Sequence, residues 1–317
     1  MDDLKSKRMD EFVWYHIHGD GDCNGQVLKA FTDIESLDQQ SIFDLTYFYS
    51  ITYSIPSAIF LLQNRNKIIN KPVESAEEFK KFLVFETDRK WVKQEDRFDR
   101  MLHQWAYMIR NYATVFERQV VENNIVRTKK ALSIIENWYY FSRYSAYLFI
   151  ETYCDIKGLQ CQKTSGLNYD GDRMVFASGL FRLYGLDKMA VFCRFKRTLP
   201  VDSKTFECMI QDVQNRVLTQ NGDDNWFKIE TSLCAYEKFY RGTRYNGYYA
   251  DRMLQDINNM KGNHLTADAC SKTLQARKIA IKKQYLGEAN GWDGIRKELK
   301  KQYIQTGEIF GYQSILQ

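Results

Sequence analysis

Residues 226–253, WFKIETSLCAYEKFYRGTRYNGYYADRM, decide the fold. Ile229, Leu233, Tyr236 and Tyr240 recur at the spacing of one helix face and should point into a core. Glu230, Cys234, Glu237 and Arg241 form an adjacent stripe with the same period. A Gly-containing basic turn, Arg241-Gly242-Thr243-Arg244, follows. After Asn246-Gly247 a second helix begins, with Ala250, Met253, Leu254 and Ile257 as its core face. Tyr248, Asp251 and Arg252 then lie within about one turn on a more polar face. The pattern predicts an αα-hairpin that gathers two carboxylates, two arginines and several tyrosines. A structural ion-pair network is an equal reading of the same residues.

Working outward, the rest of the chain continues the helical pattern. Its 317 residues suffice for one large domain or two modest ones. Hydrophobic content of 44% and charged content of 27% are ordinary for a globular protein. Aromatics reach 15%, with 21 Tyr and 20 Phe, whereas there are only 3 Pro. Few helix breakers and many large side chains predict a mostly α protein with a few short strands. We expect one domain over 1–317, with a two-lobed arrangement divided near 155–175 as its variant. A net charge of +5 permits a polyanionic partner without demanding one. The 7 cysteines are scattered and contain no CxxC pair, which argues for a reducing compartment and against a zinc ribbon. The charged start of the chain does not read as a secretory signal, and no apolar run is long enough to span a bilayer. A cytoplasmic protein with no membrane partner is the expectation.

Near the start, His16 and His18 alternate as in an extended segment, before the turn-rich Gly19-Asp-Gly-Asp-Cys-Asn-Gly25. Histidine and cysteine suit a metal, but the ligand set is incomplete, so no metal is expected. The turn leads into a helix over 26–36, whose free N–H groups favour an anion. A long apolar helix over 41–63 should kink or break at Pro56. Its Ser50, Thr52 and Ser54 should bond back to the backbone. Residues 64–74 read as a polar linker and 76–83 as a short helix. In the charged stretch 85–98, Asp88, Arg89, Lys90 and Lys93 surround Trp91 in a loop. That grouping suits phosphate clamping with base stacking, or a solvated loop anchored by its tryptophan.

Residues 97–141 read as one or two helices with breaks at Asn111 and Asn123-Asn124. Arg143, Tyr147 and Glu151 then line one helix face. Residues 155–173 are loop-rich, 189–195 look like a short strand, and 203–219 return to helix. Two basic helices, 267–286 and 292–306, carry Lys278, Lys282, Lys283, Arg296, Lys297, Lys300 and Lys301. Such faces suit a DNA backbone, and equally suit solvent. No Walker A sequence, GxGxxG after a strand, GxSxG, HExxH or zinc-deaminase signature occurs.

An ordered set of segments carries a resemblance. They are Trp14-Tyr-His-Ile-His18 with its loop, Glu86-Thr-Asp-Arg-Lys90, Arg143-Tyr-Ser145, Glu230-Thr-Ser-Leu-Cys-Ala-Tyr236, Arg241 to Arg252, and Asn290-Gly-Trp-Asp-Gly-Ile-Arg-Lys-Glu-Leu299. Together they resemble phage-encoded proteins of the amino acid:DNA transferase group, allied to the alpha-glutamyl/putrescinyl thymine pyrophosphorylases of thymine hypermodification. The resemblance implies a helical fold similar to that of DNA glycosylases. It also implies action on DNA whose pyrimidine carries a phosphorylated or pyrophosphorylated hydroxymethyl group, with an amino acid or amine as co-substrate. No tightly bound cofactor is expected. One departure is the lack of a Leu-Pro-Gly-Val-Gly type hairpin for gripping DNA.

Chemistry assigns roles to residues within that frame. A flipped base needs stacking partners, for which Trp91, Tyr245 and Tyr248 are candidates. A departing phosphate needs cations, drawn from Arg89, Lys90, Lys93, Arg143, Arg173, Arg241, Arg244 and Arg252. The incoming amine must lose a proton to Glu230 or Asp251, with His16, His18 and Asp88 as further candidates. A glycosylase acting on modified bases would use the same carboxylates against an oxocarbenium ion. A non-enzymatic helical nucleic-acid-binding protein is the third reading.

Overall fold

Both arms of the stretch at 226–253 are helical, and so is most of the protein. The structure is a computed structural model. It describes residues 2–18, 23–161, 173–196, 198–221, 226–241, 243–244, 247–281 and 305. In chain order the helices are α1 (Asp2–His18), α2 (Asn24–Ile34), α3 (Gln39–Thr52), α4 (Ile55–Gln63), α5 (Arg65–Asn70), α6 (Pro72–Phe79), α7 (Arg97–Gln104), α8 (Ala113–Val120) and α9 (Thr128–Ile135). They continue with α10 (Arg143–Lys157), α11 (Arg173–Leu183), α12 (Asp187–Lys196), α13 (Ser203–Asn221), α14 (Trp226–Tyr240), α15 (Tyr248–Met260) and α16 (Ala267–Ala280). Short strands β1 (Val121–Glu122), β2 (Ile125–Val126) and β3 (Gln160–Cys161) form one small sheet, β2 pairing antiparallel with β1 and parallel with β3.

The chain divides into two compact units. The larger holds residues 23–162 and 252–281 and is built around α3. This helix is buried on nearly every side, so its polar residues must satisfy themselves. Thr46, Ser50 and Thr52 each donate a hydroxyl hydrogen bond to the carbonyl four residues back, at 2.8 Å. Phe43 sits among Phe116, Trp138, Phe149 and Tyr153, with ring centroids 5.1 to 6.0 Å away. Asp44 is buried beside that cluster and accepts from Trp105 Nε1 at 2.9 Å and Gln40 Nε2 at 2.8 Å. Burial pushes its carboxyl up to about 7.

α3 ends at Tyr53, which adopts φ 52° in the left-handed region. The expected long helix is therefore broken before Pro56, which falls in the first turn of α4, where a missing N–H costs nothing. Pro72 opens α6 in the same way, so residues 64–74 are not a linker but two short helices. The stretch at 85–98 is likewise ordered, as a 3₁₀ turn over Thr87–Lys93 leading into α7. Residues 97–141 are more divided than expected. A π-helical turn over Trp105–Ile109 is capped at Arg110, one residue before Asn111, and Asn123 and Asn124, both at positive φ, turn β1 into β2.

The expectation of an anion at the start of α2 meets an internal answer. A Cβ at the buried Gly25 would lie 2.3 Å from Asp155 Oδ2, so the first turn of α2 rests against a carboxylate of α10. In the same unit Cys154 of α10 and Cys161 of β3 bring their sulfurs within 3.0 Å as free thiols.

The second unit comprises α1, α11 to α14 and the first turn of α15. α11 and α14 pack backbone to backbone: a Cβ at Gly179 would lie 2.2 Å from the Leu233 carbonyl oxygen. His16 and His18 are not extended but end α1, which buries Met9, Phe12 and Val13 on one face. Residues 189–195 are helix α12, not a strand. Ala190 and Cys193 point inward at helical spacing, whereas Val191, Phe192 and Phe195 are exposed. No described helix is long and apolar enough to cross a membrane.

Candidate functional site

In the larger unit, two buried carboxylates meet around one arginine. Glu86 caps the 3₁₀ turn, and its backbone is fixed at both ends. Its N–H donates to the Thr52 carbonyl at 3.0 Å, and its own carbonyl accepts from the Arg89 N–H at 2.7 Å. Its side chain, in a residue only 9% exposed, accepts from Arg252 Nε at 2.7 Å. Four residues on, α15 places Asp256 on the same face as Arg252, with Oδ1 3.8 Å from that Nε. Asp256 is 3% exposed and Oδ1 accepts no hydrogen bond. Burial pushes its carboxyl up to about 8, and the Glu86 charge adds to the shift. The Ser54 hydroxyl and Arg252 pull it back down. At neutral pH Asp256 is therefore an acid that keeps its proton beside Glu86.

A second arginine is tied to Glu86 through the backbone. Arg89 is buried, donates from Nε to the Ser50 carbonyl at 2.8 Å and stacks on Tyr144 at 4.9 Å. Arg252, with 29% of its side chain exposed, is the solvent-facing member. The break between α3 and α4 delivers the Thr52 carbonyl and Ser54 to this point, so the irregular backbone at Tyr53 serves the site.

The other sequence candidates have their own surroundings. Lys90 is exposed on the 3₁₀ turn, and the side chain of Asp88 lies outside the described residues. Trp91 packs edge-on to Tyr140 at 6.2 Å with Arg97 over its ring at 5.7 Å, and Lys93 lies 5.1 Å from the Phe85 ring. Arg143 pairs with Glu136 at 3.0 Å. His16 Nδ1 lies 2.9 Å from Ser232 Oγ, and Glu230 accepts from Cys234 Sγ at 3.2 Å. Asp251 lies half-buried in the first turn of α15. Arg244 bonds the Tyr249 hydroxyl and covers the Tyr248 ring at 4.9 Å. Arg241 stands 3.7 Å from the buried Glu237. The side chains of His18 and Arg173, all of Tyr245, and the basic positions at 282–304 lie outside the described residues.

The structure thus joins Arg89 and Arg252, both singled out by chemistry, through Glu86, which was noted only in the resemblance. Asp256 was missed. Its one sequence signal was its place four residues after Arg252, and nothing in a lone Asp beside Ile257 says that it is buried. Among the described residues, no group of three or more His, Cys, Asp or Glu is arranged to hold a metal ion. No protein-family model, curated protein or solved structure matches this chain.

Proposed function

We propose that this protein is a DNA-base-modifying transferase that attaches an amino acid or amine to an activated pyrimidine. The Glu86–Arg252 hydrogen bond of 2.7 Å carries the reading. It joins two separate stretches of the family resemblance and lays the buried Asp256 beside them. The reaction has two needs. The attacking amine must lose a proton, and the departing phosphate or pyrophosphate must have its charge met. Glu86 is the base in this reading, Arg252 meets the leaving anion, and protonated Asp256 holds the neighbouring proton. Arg89, fixed by Ser50 and Tyr144, adds positive potential from behind. The carbon–nitrogen bond forms as the carbon–oxygen bond breaks, and the amine proton goes to Glu86.

The test uses DNA carrying hydroxymethylated and pyrophosphorylated pyrimidines, incubated with the purified chain and an amine donor. Nucleoside mass spectrometry should find a heavier pyrimidine whose mass identifies the donor. Glu86→Gln should lower its yield by about a hundredfold or more, the size of a lost general base. Abasic sites in place of a new nucleoside would assign a glycosylase instead. Unchanged nucleosides across a panel of amines and amino acids would sink both.

A further inference from the structure

The second unit gathers four arginines around Asp187 and Glu237. Arg8 of α1 and Arg182 of α11 both bind Asp187, at 3.1 and 2.9 Å. Arg182 also gives its Nε to Glu237 Oε2 at 3.1 Å. The other Glu237 oxygen, in a side chain 1% exposed, accepts no hydrogen bond. Arg194 Nη1 and Arg241 Nε stand around it at 4.0 and 3.7 Å, both beyond hydrogen-bond reach. Four guanidiniums therefore share two carboxylates. Burial lowers the Arg241 pKa, and repulsion from Arg194, Arg244 and Arg182 lowers it further, against the pull of Glu237. An anion between Arg194 and Arg241 would relieve that repulsion.

The neighbouring surface suggests what such an anion is attached to. α12 has a single acid, Asp187, at its start; beyond it the charged residues are Lys188, Arg194 and Lys196. On the same helix Phe192 is 44% and Phe195 70% exposed. The Arg194 guanidinium lies 4.8 Å from the Phe195 ring. A cation pair for a phosphate beside an open aromatic face is the chemistry that holds a nucleotide: charge on the guanidiniums, base on the ring. We propose that Arg194, Arg241 and Phe195 form a binding site for a nucleoside phosphate, held as a free nucleotide or as one unit of a single strand. Glu237 draws the two guanidiniums to one place by its charge, at 4.0 and 3.7 Å, and its other oxygen is held by Arg182. The site shares no residue with the Glu86–Asp256 pair and stands whether or not that pair modifies bases.

The test is calorimetric titration of the full chain with three probes: a nucleoside monophosphate, a short single-stranded DNA oligonucleotide and inorganic phosphate. Arg194→Gln and Phe195→Ala each alter an exposed or half-exposed side chain and should keep the circular dichroism of the parent. Each should weaken nucleotide binding by about tenfold or more. Lys129→Gln, which removes the same charge from an exposed position elsewhere, should bind as the parent does. Tighter binding of the oligonucleotide would assign the ligand to a strand, and tighter binding of the mononucleotide to a free nucleotide; both support the site. The proposal is overturned if no probe binds saturably, if Arg194→Gln and Phe195→Ala bind at parental affinity, or if inorganic phosphate binds as tightly as the nucleotide.

Discussion

Asp256 binds its proton more tightly when folded than when unfolded, because burial beside Glu86 raises its pKa from 3.8 to about 8. The protein is therefore most stable, as far as this group is concerned, below its unfolded pKa. That contribution is lost as pH rises from about 4 to about 8. Asp44, raised to about 7 by burial, acts in the same direction. Urea titrations between pH 5 and pH 8.5 should show stability falling by several kcal/mol, on the order of 1.4 kcal/mol per unit for each proton still held. Asp256→Asn should flatten much of that slope and gain on the parent at the alkaline end. An unchanged slope in the variant would mean that Asp256 titrates normally. In the transferase reading the same substitution removes the acid next to Glu86, so modified nucleoside should fall while stability rises. None of this could be read from the sequence, where a carboxylate normally signals solvent. Arg252 was legible as a candidate cation, but its partners lie 166 and 4 residues away, and only the fold shows which of them it takes.

Helices are the scale at which the sequence speaks most clearly. Ile229, Leu233 and Tyr236 of α14 and Ala250, Met253 and Ile257 of α15 are buried, as their spacing predicted, whereas Tyr240 and Leu254, expected with them, are only half-buried. Ser50 and Thr52 bond back to the backbone as expected, but Ser54 does not: the helix has already ended, and its buried hydroxyl has no hydrogen-bond partner. α12 misled because its outward face is aromatic, and an apolar residue on a surface breaks the rule from which period is read. How closely two helices approach is not written in either one. Gly179 shows this: any side chain there meets the Leu233 carbonyl, which is backbone and cannot swing aside. Gly179→Ala should cost about 1 to 3 kcal/mol or more, read as a lower urea midpoint with unchanged m-value. A neutral result would mean that α11 and α14 can part without penalty. Between α10 and β3, the Cys154 and Cys161 sulfurs need to close by only about 1 Å to reach bonding distance. Mild peroxide should oxidise this thiol pair to a disulfide in the folded protein, counted as lost free thiols and located by peptide mapping. Cys161→Ser should abolish that product.

At the scale of the whole molecule the chain passes between its two units after residues 22, 162, 251 and 281, so neither is a single continuous segment. The larger one is closed by α16, which buries Ala269, Cys270, Thr273, Ala276 and Arg277 and packs on α2 and α4. A fragment spanning 23–162 lacks that helix along with Arg252 and Asp256. It should melt without a cooperative transition, and a peptide of 252–281 added in trans should restore one; a sharp melt for the fragment alone would contradict the division. Composition made a helical protein legible, because so few prolines leave little else for so many aromatics to build. It could not show that distant segments share one core, since contact across long separations leaves no local trace. At the centre of that core, α3 has neighbours along its length and side-chain hydroxyls locked onto its own carbonyls. Its amides cannot meet water through local fraying. In deuterated buffer they should be the last in the larger unit to exchange, at the rate of global opening, which would make this one helix a gauge of how often that unit comes apart.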